Sequence, residues 1–244
     1  EKHFEIDYYD KQGLRTHRLS NDGTNSPLIS AEFEYTNNGC GKFSMTLSKD
    51  HKIPIAYERR VERSLCGDNK AWYSGYVQTR PVEGSTETEW KYSGYGFFNQ
   101  LDGVLVNKTY TNTEISAIVR DIILTYLDGK TNIVAGTDIY STGYTAEGIK
   151  FDYVTAKDVI KQLSEFAVNY IYGVDENRML FFKPVETDIN EDSRFWVGYH
   201  ITSFLPEEDI DSVENHLFVM DKDSNVVYET LSQESIDAYG LKQV

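Results

Sequence analysis

"TAKDVIKQLSEFAVNYIYGVDENRMLFFKP", residues 155–184, is the stretch on which the fold turns. Thr155 has the chemistry of an N-cap, and Val159, Ile160, Leu163, Phe166, Ala167 and Tyr170 recur at helical spacing as one apolar stripe. The run from Asn169 then alternates, with Asp175-Glu176-Asn177 as turn residues between two strand-like arms. Ordering so short a helix costs conformational entropy that offsets what its stripe gains by burial. It needs a surface to cover the stripe, and the apolar face of the hairpin is the nearest one. A short helix feeding a tight hairpin is therefore expected.

Upstream, "TNTEISAIVRDIILTYLDGK" (111–130) carries Ile115, Ile118, Val119, Ile122 and Tyr126 at helical spacing, with Leu127 beside them. Thr111 and Glu114 have capping-box spacing, and Asp128-Gly129 ends the helix. Residues 135–148 read as a polar, glycine-rich loop, so an α/β insert spans roughly 104–186. From Phe4 to about Leu101 the pattern is strand-like. "HFEIDYYD", "SAEFEYT" and "FSMTLS" alternate, the last with Phe43, Met45 and Leu47 on one face. "AWYSGYVQTRP" and "TEWKYSGYGFFNQL" follow, with "VEGSTE" as a hairpin loop between them. "YSGY" occurs at 73–76 and again at 92–95, each glycine marking a bulge or a close backbone approach. After Arg194 strands return in "FWVGYHITSFL", then an acidic "PEEDIDS", then a hairpin turning at "DKDSN". "QESIDAYGLKQV" lacks a finishing element, so the last domain is expected to be incomplete.

Composition narrows the function classes. Aromatic residues make up 14% of the chain and 18 of them are Tyr, which suits half-buried strands and protein interfaces. The formal net charge of −15 opposes nucleic-acid binding by phosphate neutralisation, which relies on Lys and Arg. No apolar run approaches the roughly 18–20 residues that span a bilayer, and "EKHFEIDYYDKQG" lacks the basic and apolar regions of a signal peptide. Cys40 and Cys66 make no disulfide framework, which fits reduced thiols in a protein assembled in cytoplasm.

Catalytic spacings are missing. His3, His17, His51, His200 and His216 form no HxxxH or HxH pair, so neither a zinc site nor any other metal or cofactor is expected. There is no GxSxG elbow and no phosphate-binding P-loop. Cys40, between two glycines and without a local His partner, reads as part of a turn rather than as a nucleophile. "DKDSN" begins like a calcium loop, but Val226 and Ser232 stand where an EF-hand needs Gly and Glu. Glu207, Glu208, Asp209 and Asp211 read as a solvated loop rather than a glycosidase pair. Trp72, Trp90 and Trp196 have the chemistry of sugar-stacking platforms, but read first as strand core.

The order of segments is more specific than any one motif. "GKFSMTL", "WYSGYV" and "WKYSGYGFFNQL" precede "TNTEISAIVRDIIL" and "AKDVIKQLSEFAVNYIYGVDENRMLFFKP". "DIDSVENHLFVM" and "LSQESIDAYGLKQ" close the chain. In this order they resemble the hub family of bacteriophage tails, the baseplate hub of contractile tails and related tail-tip proteins. The chain departs from the family in "DENRML", where a glycine is usual near the turn, and in stopping just after "AYGLKQ".

The resemblance implies an α+β, mainly β fold. It has two β-barrel-like tube domains, at 1–102 and 190–244, with a small α/β domain at 103–189 between them. It further implies a non-enzymatic homotrimer in the virion tail, assembled in the bacterial host cytoplasm. Its ring would adapt a sixfold tail tube to a threefold spike or tip, with DNA passing through unbound and no membrane insertion. Tyr73, Tyr76, Tyr92 and Tyr95 are the candidate interface residues. The alternative is a tail-tip cell-wall hydrolase or endopeptidase component whose catalytic groups lie outside these residues.

Overall fold

The computed structural model describes residues 3–21, 26–51, 53–65, 70–82, 88–186, 213–222 and 225–243. The chain divides into two compact units, Glu1–Thr187 and Asp188–Val244.

The first unit opens with seven strands, β1 (Phe4–Tyr9), β2 (Arg15–Ser20), β3 (Leu28–Thr36), β4 (Gly39–Ser48), β5 (Arg60–Leu65), β6 (Ala71–Thr79) and β7 (Glu89–Gly96). They pair antiparallel in the order β2-β1-β5-β6-β7-β4, and β3 pairs with the other edge of β4. Alternation puts Phe43, Met45 and Leu47 of β4 into a core with Ile6, Leu19, Val61, Tyr73 and Val77. Asp7 is buried on β1, and Arg18 of β2 clamps it through contacts of 2.7 and 2.8 Å.

A 3-10 turn, Phe97–Gly103, then leads into β8 (Leu105–Glu114), α1 (Ile115–Ile122) and a π-helical turn at Ile123–Leu127. β9 (Val134–Ile139), β10 (Thr145–Thr155), α2 (Ala156–Glu165), β11 (Tyr170–Val174) and β12 (Met179–Pro184) follow. β8 and β10 form a separate antiparallel ribbon, while β11, β12 and β9 form a mixed sheet in which β12 and β9 run parallel. The stripes of α1 and α2 meet in a second core, with Ile118, Val119 and Ile122 packed beside Val159, Ile160 and Leu163, and the hairpin contributes Val174, Leu180 and Phe182. The helix-and-hairpin reading of residues 155–184 therefore holds, except that α2 ends at Glu165 and Phe166, expected in its buried stripe, is exposed.

β11 joins β4 where Val174 lies opposite Gly39, and Asn38 seals the join, its carbonyl accepting from the Val174 amide at 3.0 Å and its side-chain amide donating to the Tyr172 carbonyl at 2.7 Å. Only glycine fits there. A Cβ on Gly39 would lie 1.9 Å from the Val174 carbonyl oxygen, and one on Gly173 would lie 2.3 Å from the Asn38 carbonyl oxygen. Among the described residues β2 and β9 end the hydrogen-bonded path, and no sheet closes into a barrel. The fold is α+β and mainly β.

In the second unit, β13 (His216–Met220) and β14 (Val226–Leu231) form an antiparallel hairpin followed by α3 (Gln233–Tyr239). Asn215 is buried and ties the C-terminal segment down, donating to the Gly240 carbonyl and accepting from the Lys242 amide, both at 2.7 Å.

Several sequence expectations need correction. Thr111 belongs to β8 and is no helix cap; Glu114 itself caps α1, accepting from the Ala117 amide at 3.1 Å. The presumed loop at 135–148 contains most of β9 and the start of β10. The final stretch, in which no element was expected, holds α3, and Gln243 forms a bridge with His216.

Candidate assembly surface

The four tyrosines sit on two adjacent strands, Tyr73 and Tyr76 on β6, Tyr92 and Tyr95 on β7. Residues three apart on a strand point to opposite faces, so each "YSGY" serves both cores. Tyr73 and Tyr92 are buried in the first core and Tyr76 in the second, while Tyr95 is half-buried against the second. Tyr73 lies among Phe33, Tyr35 and Phe43 with ring centroids 4.9–6.0 Å away, and its hydroxyl donates to the Gly41 carbonyl at 2.8 Å. Burial pushes its phenol well above the ordinary range. The glycines between the tyrosines allow close approach. A Cβ on Gly94 would lie 1.8 Å from the Tyr76 carbonyl oxygen.

Tyr92 shares a hydrogen bond of 3.0 Å with Nε2 of His51. Nδ1 of His51 accepts from the Ile53 amide at 3.1 Å, so the ring's proton sits on Nε2 and is donated to the tyrosine. Burial lowers the pKa of His51 and pushes the Tyr92 phenol up to about 12. This pair is built to stay neutral and to pin the segment after β4, not to move protons.

The remaining candidates behave as structural groups where they are described. Cys40 lies in β4 rather than in a turn, which is formed by Asn37-Asn38; its sulfur accepts from the Ser74 amide at 3.4 Å, and burial pushes its thiol up to about 11. His216 is held between Glu229 at 2.7 Å and Gln243 at 3.0 Å. Trp90 packs against the first core, whereas Trp72 stands half-exposed at a bulge between β5 and β6. Cys66, Trp196, His200, Glu207, Glu208, Asp209 and Asp211 lie outside the described residues. Among the described residues no three His, Cys, Asp or Glu side chains gather as a metal site, and no helix is long and apolar enough to cross a membrane.

Surface suited to assembly lies elsewhere. β2, β3 and β9 each present an unpaired edge among the described residues. Ile29 and Tyr35 are half-exposed on β3. Tyr144 and Phe166 stack on the surface at 5.9 Å, and Val168 is highly exposed. On the β13–β14 hairpin, Val219, Met220, Val226, Val227 and Tyr228 are 50–61% exposed. A two-stranded hairpin with that much apolar surface in water is marginal alone.

Known structures superpose on this chain over nearly all of its length. The 43 kDa tail protein of prophage MuSo2 from Shewanella oneidensis superposes with a TM-score of 0.69 at 11% identity, over 100% of this chain and 71% of that one. The chain has the fold of a phage tail protein. Prophage tail protein gp18 from Listeria monocytogenes gives a TM-score of 0.61 at 12% identity, again over 100% of this chain and 71% of that one. A tail protein from Neisseria meningitidis gives 0.59 at 9% identity, over 99% and 71%. No family model and no curated protein sequence matches. At such identities the likeness is one of fold alone. The resemblance drawn from the order of segments is shown at that level, and the tail-protein fold takes in the helix-and-hairpin unit as well as both sets of strands.

Proposed function

We propose that the chain is a structural, non-enzymatic hub component of a phage tail. In this reading three copies close a ring of pseudo-sixfold outline, which adapts a sixfold tail tube to a threefold spike or tip while DNA passes through the lumen. The carrying observation is the likeness, over 99–100% of this chain and 71% of each of theirs, to three phage tail proteins from different bacteria, at TM-scores of 0.59–0.69. Residues 1–102 and 190–244 act as two barrel-like tube domains, and 103–189 braces the ring from outside.

Two physical features support this reading. The unpaired edges of β2, β3 and β9 are templates for strand pairing with another copy. The charge of −15 per chain, tripled in a ring, repels DNA from a lumen wall that carries part of it. The protein then belongs to the virion tail and assembles in the host cytoplasm.

Light-scattering mass and negative-stain images of the purified chain across a concentration series test the reading. Trimers with a threefold or pseudo-sixfold outline are expected. A monomer at every concentration, with no rings in the images, would overturn it.

A further inference from the structure

Within the first unit a cleft of about 770 Å³ opens between the β1–β2 turn, the segment before β5, the 3-10 turn, the turn after the π segment and the β11–β12 turn. Its charge runs against that of the chain. Among its lining residues five are cations, Lys11, Arg59, Arg60, Lys130 and Arg178, while three are carboxylates, Asp10, Glu58 and Asp102. The whole chain has 24 cations to 39 carboxylates.

Two of those carboxylates are already committed. Asp10 accepts from the amides of Gln12 and Leu14 at 2.9 Å, closing its own turn, and Asp102 holds Lys157 at 2.8 Å. Arg60 is committed too, with Glu62 at 3.3 Å and the Tyr9 ring 3.8 Å from its guanidinium. Arg178 is different. It is half-buried, its pKa is lowered by burial and then by the Arg60 charge, and no carboxylate among the described residues forms an ion pair with it. The one carboxylate among them whose charge supports it, Glu62, is already paired with Arg60 at 3.3 Å, so a partly desolvated guanidinium is left incompletely compensated, which is costly to keep.

The backbone holds it there nonetheless. Arg178 has a left-handed φ of 68°, its amide donates to the Asp175 carbonyl at 3.0 Å, and its own carbonyl accepts from Val134 at 3.0 Å. Glu58, across the cleft, is also left-handed at φ 58°. Left-handed backbone at residues other than glycine is strain that the surrounding structure must maintain.

We propose that this cleft is a recognition site for the carboxylate side chains of an acidic segment on a neighbouring protein chain. Lys11, Arg59, Lys130 and Arg178 stand on four separate connecting segments, which fits carboxylates strung along a peptide better than one compact phosphate. Gln78, Asn99 and Gln100 line the same cleft and supply amide groups of the kind that hydrogen-bond a peptide backbone. The proposal stands on the cleft alone and does not depend on ring formation.

Calorimetric titration of the full chain with octaglutamate, octaglutamine and inorganic phosphate tests it. Octaglutamate binds, octaglutamine does not, and the affinity falls as salt is raised. Arg178→Gln and, at another turn, Lys130→Gln each weaken octaglutamate binding about tenfold, the loss of one charge-assisted contact. Unchanged far-UV circular dichroism and melting temperature show that each variant is folded. No octaglutamate binding, equal binding of octaglutamine, indifference to both substitutions, or full competition by phosphate would each overturn the proposal.

Discussion

β8–α1 and β10–α2 are two near copies of one unit, a strand that turns into a helix with no loop between. Their caps share a backbone conformation, φ −67° and ψ 140° at Glu114, φ −61° and ψ 143° at Thr155. Each strand carries a left-handed residue two positions before its cap, Asn112 and Tyr153. The first helical amide of each donates across to a carbonyl just before the opposite strand, Ile115 to Tyr144 at 3.0 Å and Ala156 to Val104 at 2.7 Å. What differs is the cap. The Thr155 hydroxyl reaches only its own helix, accepting from the Asp158 amide at 3.1 Å and donating to the Asp158 carboxylate at 2.8 Å. The longer Glu114 side chain caps α1 and also accepts from the amide and hydroxyl of Thr142, both at 2.8 Å, and from the hydroxyl of Ser116. Backbone geometry thus fixes where a helix starts, and the reach of the cap fixes how much else depends on it.

The largest effects come from what the two units share. Ile118 and Ile160 are fully buried in the same core. Ile118→Ala and Ile160→Ala are each expected to cost about 2–5 kcal/mol, and to agree within about 1 kcal/mol, in urea unfolding of the full chain followed by circular dichroism. A large loss at one helix with the other spared would show that the units do not share a core.

Cap chemistry comes next, and here the units part. Glu114→Ala removes the cap and the tie to residues 141–144, for an expected loss of about 2–3 kcal/mol. Amide exchange at Ile115 and Thr142 should speed up together. If exchange rises at the helix alone, the tie carries no weight and the two caps are equivalent.

The same contrast explains what was legible. Thr155 was readable because a short hydroxyl residue ahead of a clean apolar stripe is what most helix starts look like. Glu114 was not, because β8 hides its own period. Val106 and Tyr110 face the core, but the inward position between them is Lys108, whose ammonium reaches Asp121 at 2.8 Å while the Tyr110 hydroxyl donates to the same carboxylate at 2.6 Å. A lysine on an inward strand position erases the alternation that would mark a strand, leaving a polar run that reads as the lead-in to a helix. α3 was missed for a related reason, since it buries none of its residues and so shows no stripe; Ser232, which caps it, was the available signal. The tyrosines were legible as strand aromatics, but which face each one took depended on where both cores lay. The cleft was not legible at all, because Lys11, Arg59, Lys130 and Arg178 converge only through turns far apart in the sequence.

Thr155→Ala sharpens the comparison from the weaker side. The loss of one local cap is expected to cost about 1 kcal/mol, less than half that of Glu114→Ala, and to leave amide exchange at Thr142 untouched. An equal cost for the two caps would make the reach of Glu114 irrelevant to stability.

The smallest effect distinguishes the caps by charge. Burial alone raises the pKa of Glu114, but hydrogen bonds from Ser116, Thr142 and Ala117 outweigh it and hold the carboxyl below its ordinary value of 4.5. A carboxylate depressed by folding stabilises the native state fully above its unfolded pKa, and that stability is lost as pH falls through the folded value. The stability advantage of the wild type over Glu114→Gln should therefore be constant above roughly pH 5.5 and shrink below pH 4.5. Thr155 carries no proton that titrates in this range, so the shrinkage should be confined to the Glu114 pair of curves. A gap between wild type and Glu114→Gln that stays constant into acid would mean that the carboxylate's charge contributes nothing beyond its shape, and that the two caps differ in length alone.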